Sequence, residues 1–138
     1  MNKPDAELHV RRMYENDAFS KWLGIQIIEI SDGYIKLEMI VKKEMTNGFD
    51  IAHGGILFSL ADSALAFAAG THGRISPALT NSISFLKPVS AGDTLTATAE
   101  QLHLGRQTGV YNITIRNQDQ KTVAVMRGTV FRTGNSLG

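Results

Sequence analysis

At 138 residues, with 14 basic and 13 acidic side chains and a formal net charge of +1, the chain has the size of one domain and offers no electrostatic case for nucleic acid as a partner. It contains no cysteine, which excludes disulfides, zinc–thiolate sites and thiol nucleophiles and fits a reducing compartment. Met1 to Val10 carries Asp5 and Glu7 and has no apolar core, so it does not have the form of a secretory signal; a cytoplasmic location is the expectation.

Residues 4 to 20 have the pattern of a first helix. Pro4 suits a first helical position and Asp5 and Glu7 favour its positive end, while Leu8, Met13, Tyr14 and Phe19 supply a loose apolar face and Gly24 stops it. Ile25 to Ile30 reads as a strand, Ser31 to Gly33 as a tight turn, and Tyr34 to Val41 as the hairpin partner. Lys43 to Ala52 has no period and contains Asn47-Gly48, a turn dipeptide, so it is a loop. From Ile56 to Ala69 only Ser59, Asp62 and Ser63 are polar, which is the mark of a helix in the middle of a packed domain. This run is shorter than a membrane span and carries Asp62, so no membrane partner is expected. After a break at Thr71 to Arg74 come four strand-like runs, about 78 to 87, 94 to 104, 108 to 116 and 121 to 132. Between 94 and 104 the apolar residues move from odd to even positions, which predicts a bulge. One long apolar helix and about six mostly hairpin-linked strands imply a single α+β domain spanning 1–138, with an antiparallel sheet curled around the helix and an extra N-terminal helix.

The stretch from Asn47 to Asp62 concentrates the chemistry. A mid-helix carboxylate among apolar residues is costly unless partnered, so Asp62 is either a core or interface acid held by hydroxyl neighbours or a reacting group. Gly54 and Gly55 at the helix start leave backbone N–H groups approachable by a carbonyl oxygen or oxyanion. Asn47 brings an amide just upstream, and His53 is either a capping imidazole or part of a site. Asp62 lies eight positions after Gly54, about 12 Å along the helix at 1.5 Å per residue. One reacting carbonyl cannot touch both groups on one helix. If both act, Gly54 of one subunit must face Asp62 of another across a two-fold axis. Ser59 sits in no G-x-S-x-G elbow. His9, His72 and His103 lack ligand spacing, so no metal is expected. Lys87, Arg106 and Arg127 are either phosphate holders or solvated strand ends. Phe49, Phe58 and Phe67 are candidates for an aromatic pocket, with core packing the reading preferred for the two on the helix.

Read as N-G-x4-H-G-G-x6-D before and along the central helix, the segment resembles the hotdog-fold acyl-CoA thioesterases, nearest to the PaaI type, the phenylacetyl-CoA thioesterase branch. The similarity extends to Met13 to Asp17, Leu57 to Asp62, Phe85 to Pro88, Ala91 to Ala99 and Gly105 to Tyr111. It implies a sheet wrapped around the long helix and a homodimer with sites at its two-fold interface, such dimers usually pairing into homotetramers. It implies hydrolysis of an (aryl)acyl-CoA with no metal and no cofactor beyond the coenzyme A of the substrate itself. By this resemblance Gly54 polarises the thioester carbonyl, Asp62 attacks or activates water, Asn47 positions water or the acyl group, and His53 supports the loop. Gly55, Thr80, Gly105, Arg106 and Gln107 would bind substrate, the last three bordering the pantetheine channel. Some relatives carry a serine ten positions before the proline of the F-L-x-P segment; here Ala78 stands in that place, with Thr80 nearby. Rival readings are a hotdog hydratase or dehydratase and a non-catalytic acyl-CoA sensor, which free-thiol release distinguishes from a hydrolase.

Overall fold

In a computed structural model, which describes residues 3–137, the chain runs through α1 (Lys3–Glu15), α2 (Ala18–Trp22), β1 (Gln26–Ser31) and β2 (Tyr34–Ile40). A short 3-10 turn (Lys43–Met45) leads to α3 (Gly54–Gly70), followed by β3 (Ala78–Phe85), β4 (Thr94–Leu104), β5 (Thr108–Arg116) and β6 (Thr122–Phe131). The six strands form one antiparallel sheet in the order β1-β2-β4-β5-β6-β3. Alternation decides which face is buried. Ile35, Leu37 and Met39 of β2, Leu95, Ala97 and Ala99 of β4, and Tyr111, Ile113 and Ile115 of β5 all point into the core. The expected bulge in β4 lies at Leu102, where the register with β5 steps from Gln101↔Tyr111 to His103↔Val110.

The helix expected over residues 4 to 20 is two helices. Asp17, at φ −98° and ψ 85°, leaves helical geometry and accepts from the Ser20 backbone N–H at 2.9 Å, capping α2. The break also changes the buried face. Of the expected apolar face, Met13 and Tyr14 pack against the core, joined there by Ala6 and Val10, whereas Leu8 and Phe19 are exposed. Tyr14 anchors α1 by donating to the Ile25 carbonyl at 2.6 Å and meeting the Phe67 ring edge-on. Ser20, fully buried, accepts no solvent: its hydroxyl donates to Asp17 at 2.6 Å and lies 2.8 Å from the Ser63 hydroxyl, tying α2 to α3.

Two surfaces of this fold are incompletely covered. On α3, Gly55, Phe58, Ser59, Asp62 and Ala66 recur at helical spacing as one open stripe, whereas Leu57, Leu60, Ala61, Ala64, Leu65 and Ala68 are buried. At the edge of the sheet, β3 exposes Leu79 (59%) and Phe85 (52%), with Leu86 (55%) just beyond. A sheet edge with large apolar side chains and an unpaired backbone is a template for a further strand.

Candidate active site

The start of α3 is prepared by the loop before it. Thr46 and Ala52 form an isolated antiparallel bridge, as do Ile51 and Ser90, and the Asn47 N–H donates to the Ile51 carbonyl at 2.8 Å. The Asn47 side-chain oxygen accepts from the Phe49 N–H at 2.9 Å and the Ile51 N–H at 3.3 Å, which leaves its Nδ2 hydrogens for other partners. Asp50 takes φ +61°, a left-handed conformation that Asp tolerates better than most residues. His53 is the N-cap residue in extended geometry (φ −60°, ψ 138°), and its side chain makes no capping bond. The N–H groups of Gly54 and Gly55 therefore open α3 without acceptors among the described residues.

Gly54 borders a cleft of about 320 Å³ with Ile51, Leu57, Phe85, Leu86, Lys87 and Pro88. The Phe85 ring covers it so closely that a Cβ at Gly54 would lie 3.3 Å from the ring. His53 and Gly55 face another groove on the far side of the helix start, together with Phe19, Trp22, Met45 and Ser59. The Ser59 hydroxyl is occupied, donating to the Gly55 carbonyl at 2.7 Å.

Asp62 opens into a separate cleft of about 140 Å³, lined by Leu65, Ala66, Ser76, Pro77, Ala78 and Val130. Its carboxyl is held above the usual carboxylate range, first by burial and further by the Asp17 charge, while a hydrogen bond from Asn81 opposes the rise. Asn81 Nδ2 donates to Asp62 Oδ1 at 3.4 Å. The structure thus gathers Asn47, His53, Gly54 and Gly55 at one end of α3 and sets Asp62 two turns away. Thr80, expected to contact substrate, lies on the exposed side of β3, and it is the neighbouring Asn81 that turns to Asp62, because successive strand residues face opposite ways. Ala78 lines the Asp62 cleft with a methyl group, so position 78 offers no hydroxyl there.

The turn at Gly105 to Gln107 sits at the same end of the sheet, since Ala78, Val130 and Gly109 are consecutive register partners. Two arginines hold it: Arg132 Nη1 donates to the Gly105 carbonyl and Arg74 Nη1 to the Arg106 carbonyl. Asn81 and Phe85 were not singled out from the sequence. Their signal was the odd-numbered alternation 81, 83, 85 in β3, which aims all three at the helix layer. Among the described residues no group of three or more His, Asp or Glu side chains is placed to hold a metal, and no helix is long and apolar enough to cross a membrane.

A model of the thioesterase superfamily matches residues 49–124. The chain is 52% identical over 125 residues to the acyl-coenzyme A thioesterase PaaI of Escherichia coli K12, covering 91% of this chain and 89% of that one. The solved structure of E. coli PaaI, a protein of the phenylacetic acid degradation operon, superposes with a TM-score of 0.96 at 49% identity over 97% of both chains. A hypothetical thioesterase from Streptococcus pneumoniae, solved with coenzyme A, superposes with a TM-score of 0.85 at 31% identity over 91% of this chain and 98% of that one.

Proposed function

This chain belongs to the thioesterase superfamily and has its hotdog fold, and from that premise we propose that it hydrolyses an (aryl)acyl-CoA, phenylacetyl-CoA or a hydroxylated derivative, to the free acid and coenzyme A at sites completed by two protomers. The observation that carries this reading is the relation of both half-sites to β3. Phe85 covers Gly54 and Asn81 touches Asp62, four residues apart on the same edge strand. Four strand residues span about 13 Å, and the eight helical residues from Gly54 to Asp62 span about 12 Å. Antiparallel pairing of two β3 edges about a two-fold axis near Ile83 therefore carries each Asp62 to its partner's Gly54 and each Gly54 to its partner's Asp62. The same step pairs the open backbone of β3, covers Leu79 and Phe85, and lays the two α3 stripes side by side.

In such a site the Gly54 N–H, at the positive end of α3, donates to the thioester oxygen as it gains charge. The partner's Asp62 either adds to the carbonyl carbon, forming an anhydride that water opens, or takes a proton from the water that adds. In both routes the C–S bond breaks and the thiolate of coenzyme A leaves. Asn47 supplies Nδ2 to the water or acyl group, and His53 shapes the loop. Gly105, Arg106 and Gln107, braced by Arg74 and Arg132, border the pantetheine arm. The aryl preference rests on likeness to E. coli PaaI, a protein of the phenylacetic acid degradation operon. The stacked, exposed Phe19 and Trp22 offer an apolar face on which two dimers would pair into a tetramer.

Release of free thiol from phenylacetyl-, hydroxyphenylacetyl-, benzoyl- and fatty acyl-CoAs tests the reading. Turnover should be fastest with the arylacetyl thioesters and absent in Asp62→Asn, with the oligomer intact. Tight acyl-CoA binding without turnover in the wild type would make the protein a sensor instead.

A further inference from the structure

Asn81 makes the one hydrogen bond that a side chain offers the Asp62 carboxylate among the described residues. Its own Oδ1 is buried and meets no donor there. Asn81 and Gly128 are register partners on β3 and β6. A Cβ at Gly128 would lie 2.8 Å from Asn81 Oδ1 and 2.7 Å from Leu65 Cδ2, so the amide oxygen occupies a slot that exists because residue 128 has no side chain. Turning the amide over would aim its oxygen at the Asp62 carboxylate and set two acceptors against each other. The slot and the carboxylate together select one orientation of Asn81, at the cost of an unsatisfied acceptor. A buried, unpaired carbonyl is expensive, and its retention beside a candidate reacting group points to a use.

We propose that Asn81 is the positioning residue of Asp62: its Nδ2 holds Oδ1, fixes the rotation of the carboxyl group, and leaves Oδ2 as the oxygen presented to the thioester. The proposal rests on the reading that Asp62 is the reacting carboxylate. The like charge that disfavours ionisation of Asp62 is Asp17, at the head of α2. The neighbouring positions on β3 and β6, Asn81 and Gly128, carry no charge, and in the dimer the Gly54 side of the partner adds His53 and Lys87. Loss of the Asn81 donor removes the contact that favours the ionised carboxyl and leaves burial and Asp17 unopposed.

The test compares wild type, Asn81→Ala, the isosteric Asn81→Asp and Asp62→Ala by steady-state thiol release across pH, with phenylacetyl-CoA as the probe. In Asn81→Ala, kcat should fall about tenfold with KM within about threefold of wild type, because the reacting group is misaligned while the binding surfaces persist. The acid limb of the kcat/KM profile should move to higher pH. In Asn81→Asp, where a second carboxyl faces the first, it should move further in the same direction. A purely structural role would lower thermal stability and leave the limb in place. If Asp62→Ala is inactive and neither Asn81 variant that folds moves kcat or the limb, Asn81 does not position Asp62. If Asp62→Ala remains active, it is the assignment of Asp62 that fails, whatever the Asn81 variants show.

Discussion

Replacing Gly54 with proline removes the backbone N–H assigned to the thioester oxygen and closes a ring on that nitrogen, at a place where the fold tolerates proline. Residue 54 is the first of α3, where proline is favoured because its N–H has no intrahelical partner. The preceding residue must be extended, and His53 already is, at ψ 138°. No hydrogen bond within the protomer is lost, because the Gly54 N–H has no acceptor among the described residues. Crowding is limited: the added Cβ meets the Phe85 ring at 3.3 Å, and that ring is half exposed beside an open cleft. Proline restricts the unfolded chain by about 0.4–1 kcal/mol, which offsets the displacement of the ring. The melting temperature should therefore stay within about 3 °C of wild type. Activity should not: removing one preorganised oxyanion donor costs about 10²–10³ in kcat, or roughly 3–4 kcal/mol in the barrier. Gly54→Ala keeps the N–H and adds the same Cβ, so it reports the cost of crowding the Phe85 ring and should lose no more than about tenfold. The assay is thiol release under saturating acyl-CoA, with circular dichroism melts on the same samples. A folded Gly54→Pro dimer that turns over within about threefold of wild type would refute the assignment. Equal losses in the two variants would mean that the methyl group, and not the missing hydrogen, is responsible.

The raised carboxyl of Asp62 has consequences in both activity and stability. The ionised form attacks or accepts the proton, so kcat/KM should rise with pH through a limb displaced above the ordinary value of 3.8, and a pH profile of wild type against Asp62→Asn checks it. A folded-state value above the unfolded one means that ionised Asp62 opposes folding above the folded value and ceases to do so below 3.8. Asp62→Asn should accordingly melt higher than wild type near pH 7.5, with the advantage shrinking as the pH falls toward 4. The β3 register is separately testable, because pairing about Ile83 sets Ser82 of one protomer against Ser84 of the other. Ser82→Glu with Ser84→Glu places like charges in two cross-strand pairs and should weaken the dimer by about 2 kcal/mol, roughly 30-fold in Kd. Ser82→Glu with Ser84→Lys should restore it, as sedimentation would show; equal dissociation of the two double variants would contradict this register.

Much of the fold was legible in the chain because its signals were local. Thr94–Leu104 and Thr108–Arg116 are bounded by turn chemistry, and the shift of apolar parity within 94–104 signals a bulge whose position, Leu102, only the sheet register gives. The N-terminal break was not legible, because Asp17 serves equally as a solvated helix residue and as an N-cap, and only its bond to Ser20 decides. The apolar face of the first helix was legible at Met13 and Tyr14, which pack on the core, and not at Phe19, which belongs to another axis once α1 ends at Glu15. The separation of Gly54 and Asp62 needed only the rise of a helix. Asn81 needed the sheet, since its importance comes from Gly128, 47 positions later in the chain, standing opposite it with no side chain.

Subunit complementation bears most directly on whether the site is shared. Gly54→Pro and Asp62→Asn, each inactive alone, are to be mixed under denaturant, refolded together, and assayed for thiol release. If each site takes its amide from one protomer and its carboxylate from the other, every mixed dimer regains one intact site, and a statistical mixture recovers about one quarter of wild-type activity. A mixture that forms heterodimers, seen with two distinguishable tags, and still turns over no faster than its parents would contradict a site built by two protomers.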